Sequence, residues 1–146
     1  MDELDRRILA VLAEDGRISN AELAARVGLT PSPCLRRVRR LEESGVIQGY
    51  RAVIEPAAIG RSLRVFAGVR LTRHARADVA AFEAAVAALP EIAHAHHVTG
   101  NYDYLLDIEV PDLAAYERFH SQRLASLPAV GAVNSYVTMK TLSPRP

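Results

Sequence analysis

Residues 17 to 45, RISNAELAARVGLTPSPCLRRVRRLEESG, constrain this chain more than any other stretch. They predict two short helices joined by a tight turn. Ser19 is placed as an N-cap, with Glu22 three residues on, which is the spacing of a capping box. Leu23, Ala24 and Val27 give the first helix an apolar face. Gly28 ends it in a left-handed conformation, and Leu29 starts the turn. Thr30 caps the second helix, with Pro31 at the first helical position, where its missing N–H costs nothing.

In the second helix Cys34, Val38 and Leu41 fall at i, i+4 and i+7 and form a buried stripe, widened by Leu35. Arg36, Arg39 and Arg40 project from the other side, with Arg37 at the edge. A charge run of this kind is often only a solvated face. The capped helix, glycine turn and Thr-Pro-capped helix around it point instead to a helix-turn-helix whose second helix enters a DNA groove. A guanidinium fork pairs with phosphates or grips guanine bidentately.

The rest of the first half fits that reading. Residues 2 to 14 predict a helix, with Leu4, Ile8, Leu9 and Leu12 at helical spacing, closed by Asp15-Gly16. Three helices then share a small core of Ile8, Leu12, Leu23, Val27, Val38 and Leu41, thin for independent stability. Gly45 terminates the third helix. Val46-Ile47 and Tyr50 to Ile54 are apolar and β-branched, which predicts short strands and a winged variant. Residues 55 to 62, EPAAIGRS, read as a linker. The division expected is a winged helix-turn-helix over 1–50, a hinge over 51–62 and a second domain over 63–146.

That second domain predicts strand (Leu63 to Leu71), helix (Ala77 to Leu89), strand (Ile92 to Thr99), a Gly100-Asn101 turn of type I′ geometry, strand (Tyr104 to Val110), helix (Leu113 to Leu127, capped by Asp112) and strand (Val130 to Leu142). The order β-α-β-β-α-β is the split βαβ of a ferredoxin-like sandwich, so the fold class is α+β. Its sheet carries helices on one face. A second copy is the simplest cover for the other, which implies a symmetric homodimer.

Charge and composition narrow the function. The net charge is +1, and residues 1 to 50 hold eight arginines against eight acids, so basicity is confined to one small face. Such a face binds polyanions weakly and with strong salt dependence unless two are presented together. No apolar run is long enough for a membrane helix, and no apolar segment of a signal peptide follows the N-terminus, so a cytoplasmic protein without membrane partners is expected. The single cysteine, Cys34, fits a helix core.

Over essentially its whole length the chain resembles the Lrp/AsnC (feast/famine) family of transcriptional regulators. The resemblance rests on LDRRILAVLAEDGRISNAELAARVGLTPSPCLRRVRRLEESGVIQGYRAVI, on VTGNYDYLLDIEVPDLAAYERF, and on LPAV with SYVTM beyond it. It implies a sequence-specific regulator that binds a pseudo-palindromic promoter site, is associated with the nucleoid, and carries no cofactor. The C-terminal half is implied to be a ligand-sensing (RAM-type) domain. Dimers would assemble to octamers, and an amino acid or related effector would bind between dimers. It places DNA contacts on Ser32, Pro33, Arg36, Arg37 and Arg40, with Ser19 and Asn20 near the backbone. It places the effector on Gly100, Asn101, Tyr102 and Asp103 and on Tyr136, Val137 and Thr138. The family usually carries an acid where this chain has Asn101, which leaves Asp103 to face a ligand ammonium.

Two rival chemistries compete with this reading. His94 and His96 share a strand face and His97 points away, which is an incomplete zinc site, so no metal is expected. The sirohaem decarboxylases, which are similar to this family, use the same two-domain fold for catalysis. A base such as His96 or His97 near Arg70 would have to serve here, yet no nucleophile–base–orienter set emerges from spacing, and a non-enzyme is expected.

Overall fold

The computed structural model describes residues 1–142. The chain divides into two compact units, one from Met1 to Val53 and the other from Ile54 onward.

The first unit holds α1 (Glu3–Glu14), α2 (Asn20–Val27) and α3 (Pro31–Glu43). Asp2 caps α1 through a capping box with Asp5, a second such box beside the Ser19–Glu22 pair on α2. Gly28 adopts φ 75°, and the Leu29 N–H donates back to the Ala24 carbonyl at 2.8 Å, which turns the chain sharply into α3. Thr30 stands at the N-cap of α3 but makes no side-chain cap bond, so Pro31 supplies the start signal. Ile8, Leu23, Ala24, Val27, Cys34 and Leu41 form the buried core, with Leu12 and Val38 partly buried against it. Leu35 is 38% exposed and does not widen the buried stripe.

The expected strands at Val46-Ile47 and Tyr50 to Ile54 do not form. Their composition suits a ladder, but the first unit offers no second strand among the described residues to pair with. Ile47 instead packs against the helical core, and the Tyr50 hydroxyl donates to Glu42 at 2.9 Å. Val53 and Ile54 stay exposed.

The second unit contains β1 (Leu63–Leu71), α4 (Arg76–Ala87), β2 (Ile92–His97), β3 (Tyr104–Val110), α5 (Leu113–Gln122) and β4 (Val130–Val137). The strands pair antiparallel in the order β2-β3-β1-β4, the arrangement of a ferredoxin-like sandwich. Val65, Ala67, Val69 and Leu71 alternate inward with Tyr104, Leu106, Ile108 and Val110, and Phe82, Val86, Tyr116 and Phe119 of the helices cover them.

Helix α5 and strand β4 fall well short of the lengths the periodicity predicts, and β2 and α4 end two residues early, at His97 and Ala87. Helix α5 stops at Gln122, and a 3-10 turn from Leu124 to Ser126 carries the chain on; Leu113 is exposed in the first turn. Strand β4 ends at Val137, opposite Val65 near the start of β1, and the Thr138 N–H donates to the Arg64 carbonyl just beyond it.

Among the described residues of the second unit, no helix packs on the opposite face of the sheet. Phe66 and Tyr136 sit on it across the β1–β4 pair, and Leu105 lies beside Gly68; all three side chains are exposed. Arg64 forms ion pairs there with Asp107 (3.0 Å) and Glu109 (3.2 Å). No helix of the described residues is long and apolar enough to cross a membrane.

Candidate functional site

On α3 the four arginines are not equivalent. Arg37 donates from Nη1 to Asp2 (2.6 Å) and to Asp5 (2.8 Å). Arg40 donates from Nη2 to both oxygens of Asp5, at 3.0 and 2.9 Å. Asp5 is only 1% exposed. The Asp2 backbone N–H and the two guanidiniums hold its carboxyl down to about 2. Among the described residues, Arg36 and Arg39 make no ion pair. Sequence spacing saw the arginine face but not the acid on α1 that holds two of its members. The signal for it was the pair Asp2 and Asp5, which reads as capping alone until α1 is packed against α3.

Arg36, Arg37 and Arg40 nevertheless line one cavity of about 410 Å³ together with Leu29 and Pro33. Ser32 is exposed in the first turn of α3. Ser19 and Asn20 serve the local structure. The Ser19 hydroxyl accepts the Glu22 N–H at 3.2 Å and donates to its carboxylate at 2.7 Å. Asn20 Nδ2 donates to the Pro31 carbonyl at 2.9 Å, tying α2 to the start of α3. Its Oδ1 is buried without a partner among the described residues.

In the second unit the chain between β2 and β3 does not form a two-residue turn. Six residues, 98 to 103, join the strands; Gly100 has φ 115°, whereas Asn101 keeps a negative φ, so the geometry is not type I′. Tertiary contacts decide the shape. The Asp103 N–H donates to Val69 O at 2.9 Å, and its carboxylate accepts the Leu71 N–H at 2.7 Å and contacts His74 Nε2 at 3.0 Å. The Leu71 N–H and then His74 hold the Asp103 carboxyl below its ordinary range. Tyr102 lies flat over Gly68, so close that a Cβ there would sit 2.7 Å from the ring. Its hydroxyl meets that of Tyr136 at 2.6 Å and accepts from Asn134 Nδ2 at 2.9 Å.

Tyr102 and Tyr136, 34 residues apart, are therefore brought together. The rest of the expected ligand set is spread out. Asp103 engages the Leu71 end of β1, whereas Thr138 binds at Arg64. Seven residues of extended strand separate those points, roughly 23 Å, too far for one amino acid to bridge. The side chain of Val137 lies on the helix-covered face, opposite to Tyr136, since it pairs with Val65. Thr138 Oγ1 is buried and has no hydrogen-bond partner among the described residues.

The histidines divide as their alternation predicts. His94 and His96 stack on the open face, with ring centroids 6.3 Å apart. His97 stacks on Tyr104 on the helix-covered side, at 4.7 Å. Arg70 pairs with Ala132 on the open face, so His97 and Arg70 lie on opposite sides of the sheet.

A capped helix-turn-helix bearing an arginine-lined cavity, followed by a ferredoxin-like unit with a tyrosine pair on its bare face, defines a two-unit DNA-binding regulator with a ligand-binding domain. Known proteins agree. The profile described as winged helix-turn-helix DNA-binding matches residues 1–48, and that of the Lrp/AsnC ligand binding domain matches residues 64–146. The leucine-responsive regulatory protein of Salmonella typhimurium is 49% identical over 140 residues, covering 96% of this chain and 85% of that protein. A Neisseria meningitidis transcriptional regulator, solved as a complex with L-Met, superposes with a TM-score of 0.94 at 36% identity, over 99% of this chain and 94% of that one. An AsnC family regulator from Agrobacterium tumefaciens gives 0.93 at 35% identity, with the same coverage. The chain belongs to the Lrp/AsnC family and is a DNA-binding transcriptional regulator.

Proposed function

We propose that this regulator reads a pseudo-palindromic promoter site through α3 and is controlled by an amino acid. The observation that carries the DNA half is the gathering of Arg36, Arg37 and Arg40 around one cavity on α3. Arg36, exposed and without an ion-pair partner among the described residues, is assigned to the base edge or a phosphate. Ser32 and Pro33 stand beside it at the start of α3. Ser19 and Asn20 hold the N-terminus of α2 toward the DNA backbone.

The exposed Phe66, Leu105 and Tyr136 supply an apolar face for a second copy, and a homodimer would present two α3 helices to successive major grooves. The ligand geometry is consistent with the assembly of dimers to an octamer. Asp103 and Thr138 sit too far apart to share one ligand within a chain, so a pocket built from Gly100 to Asp103 and from Tyr136 to Thr138 is completed between copies. Asp103 would take the effector's ammonium, and the unpartnered Thr138 Oγ1 is available to its polar end. Leucine and methionine, named with the relatives, are the first effectors to test. The protein acts as a regulator rather than an enzyme, in the cytoplasm and on the nucleoid.

A thermal-shift screen against the twenty amino acids tests the effector half. A ligand at 100 times its dissociation constant adds about 2.7 kcal/mol to the folded state. A hit that persists undiminished in Asp103→Asn would remove Asp103 from the pocket.

A further inference from the structure

The carboxylate of Asp5 is buried against two of the α3 arginines. It lies on α1, outside the helix-turn-helix. It is 1% exposed, and it receives one terminal nitrogen from each of Arg37 and Arg40. The exposed Asp2 takes the same Arg37 nitrogen, at 2.6 Å. Arg37 Nη2 and Nε, and Arg40 Nη1 and Nε, make no hydrogen bond among the described residues. These free edges belong to side chains that line the 410 Å³ cavity with Arg36, Leu29 and Pro33.

A free arginine loses rotamer freedom on gripping a phosphate. A guanidinium already held by one edge has lost most of that freedom on folding. Its second edge is presented in a fixed orientation. Two such groups a helical turn apart (i, i+3), held by a single carboxylate, make a rigid clamp rather than two flexible charges.

We propose that Asp5 is a positioning residue for DNA binding, orienting Arg37 and Arg40 so that their free edges hold one backbone phosphate in the cavity on α3. The proposal rests on α3 being the DNA-contacting helix. It assigns Arg37 and Arg40 to fixing the position on the duplex, and it leaves Arg36 and Arg39 for contacts outside the clamp. A phosphate contact carries no base information, so loss of the clamp lowers affinity uniformly across sequences.

The opposite expectation is that Asp5 only competes with DNA. Then neutralising it would free two guanidiniums, raise affinity and steepen the salt dependence.

The test is the salt dependence of binding of the full chain to a fixed duplex, for the native protein, Asp5→Asn, Arg40→Gln and Arg36→Ala, with the folded fraction of each set by circular dichroism and stoichiometric titration. One lost phosphate contact reduces the slope of log K against log salt by about 0.9. Extrapolated from 1 M to 0.1 M salt, that is about an eightfold weakening. Asp5→Asn and Arg40→Gln are both expected to show this reduction, with the preference among duplexes unchanged. An unchanged or steeper slope in folded Asp5→Asn overturns the proposal. Should Asp5→Asn not fold, Arg40→Gln decides: it keeps Asp5 paired to Arg37, and an unchanged slope, or a changed sequence preference, overturns the clamp. Arg36→Ala separates the two levels of the argument. If it too leaves affinity, slope and preference untouched, α3 is not the DNA-contacting helix, whereas an effect of Arg36→Ala without one of Asp5→Asn removes the clamp alone.

Discussion

The carboxylate of Asp103 accepts the backbone N–H of Leu71 at 2.7 Å, fastening the chain between β2 and β3 to the end of β1. The same side chain is the one expected to meet an effector's ammonium. It therefore has a structural and a recognition role that different substitutions separate. Asp103→Ala leaves the Leu71 N–H without its charged acceptor and should cost about 1.5–3 kcal/mol of unfolding free energy. Asp103→Asn keeps an oxygen for that N–H but removes the charge. It should melt close to the native protein and lose the effector response. Equal melting losses in both variants would contradict the division of roles.

Gly68 and Tyr102 give a packing prediction. A Cβ at Gly68 would meet the Tyr102 ring at 2.7 Å. Gly68→Ala should displace the ring, break the Tyr102–Tyr136 contact and cost about 1–3 kcal/mol, as overpacking does. The double variant Gly68→Ala, Tyr102→Ala should recover much of the loss, because the two sites interact directly. Chemical denaturation of the four proteins reads the coupling, and simple additivity would contradict the contact.

The α3 arginines give a graded set. Arg36→Ala should weaken DNA binding by about 1–3 kcal/mol and relax preference at the contacted base if the contact is bidentate. Binding to a panel of single-base variants distinguishes this from the uniform loss expected at Arg40.

Acid should destabilise the first unit. Asp5 is held down to about 2, and Asp2 and Glu22 are also lowered, each by hydrogen bonds to its charged form. A carboxyl whose folded value lies below its unfolded value stabilises the fold above the unfolded value, and that contribution fades as pH falls toward the folded one. Stability of the first unit should therefore decline between about pH 5 and pH 2. Asp5→Asn should be less stable at pH 7 and should show a shallower decline; an unchanged pH profile would remove Asp5 from the linkage.

Local chemistry and periodicity carried much of the fold into the sequence. Ser19 with Glu22, Gly28 and Thr30-Pro31 bounded α2 and α3, and the apolar runs and breakers of the second half carried the β-α-β-β-α-β order. What escaped depends on contacts distant in sequence. Residues 50 to 54 have strand composition, but a strand forms only where another meets it. Gly100-Asn101 satisfies the local rule for a tight turn, yet Tyr102 and Asp103 are drawn to β1 by Gly68, Val69 and Leu71, and the connection opens to six residues. Arg37 and Arg40 read as a solvent-facing charge run until Asp5, more than thirty residues earlier, packs beneath them.

The measurement that bears most directly on the central claim is the binding of the full chain to a duplex selected by it from a random pool, titrated with and without leucine or methionine. The account predicts salt-dependent, sequence-specific binding whose affinity shifts at least about fivefold with one of them, and an equal shift in that amino acid's affinity when DNA is present. Folded protein that selects no sequence, or that binds its site identically with each of the twenty amino acids, would contradict it.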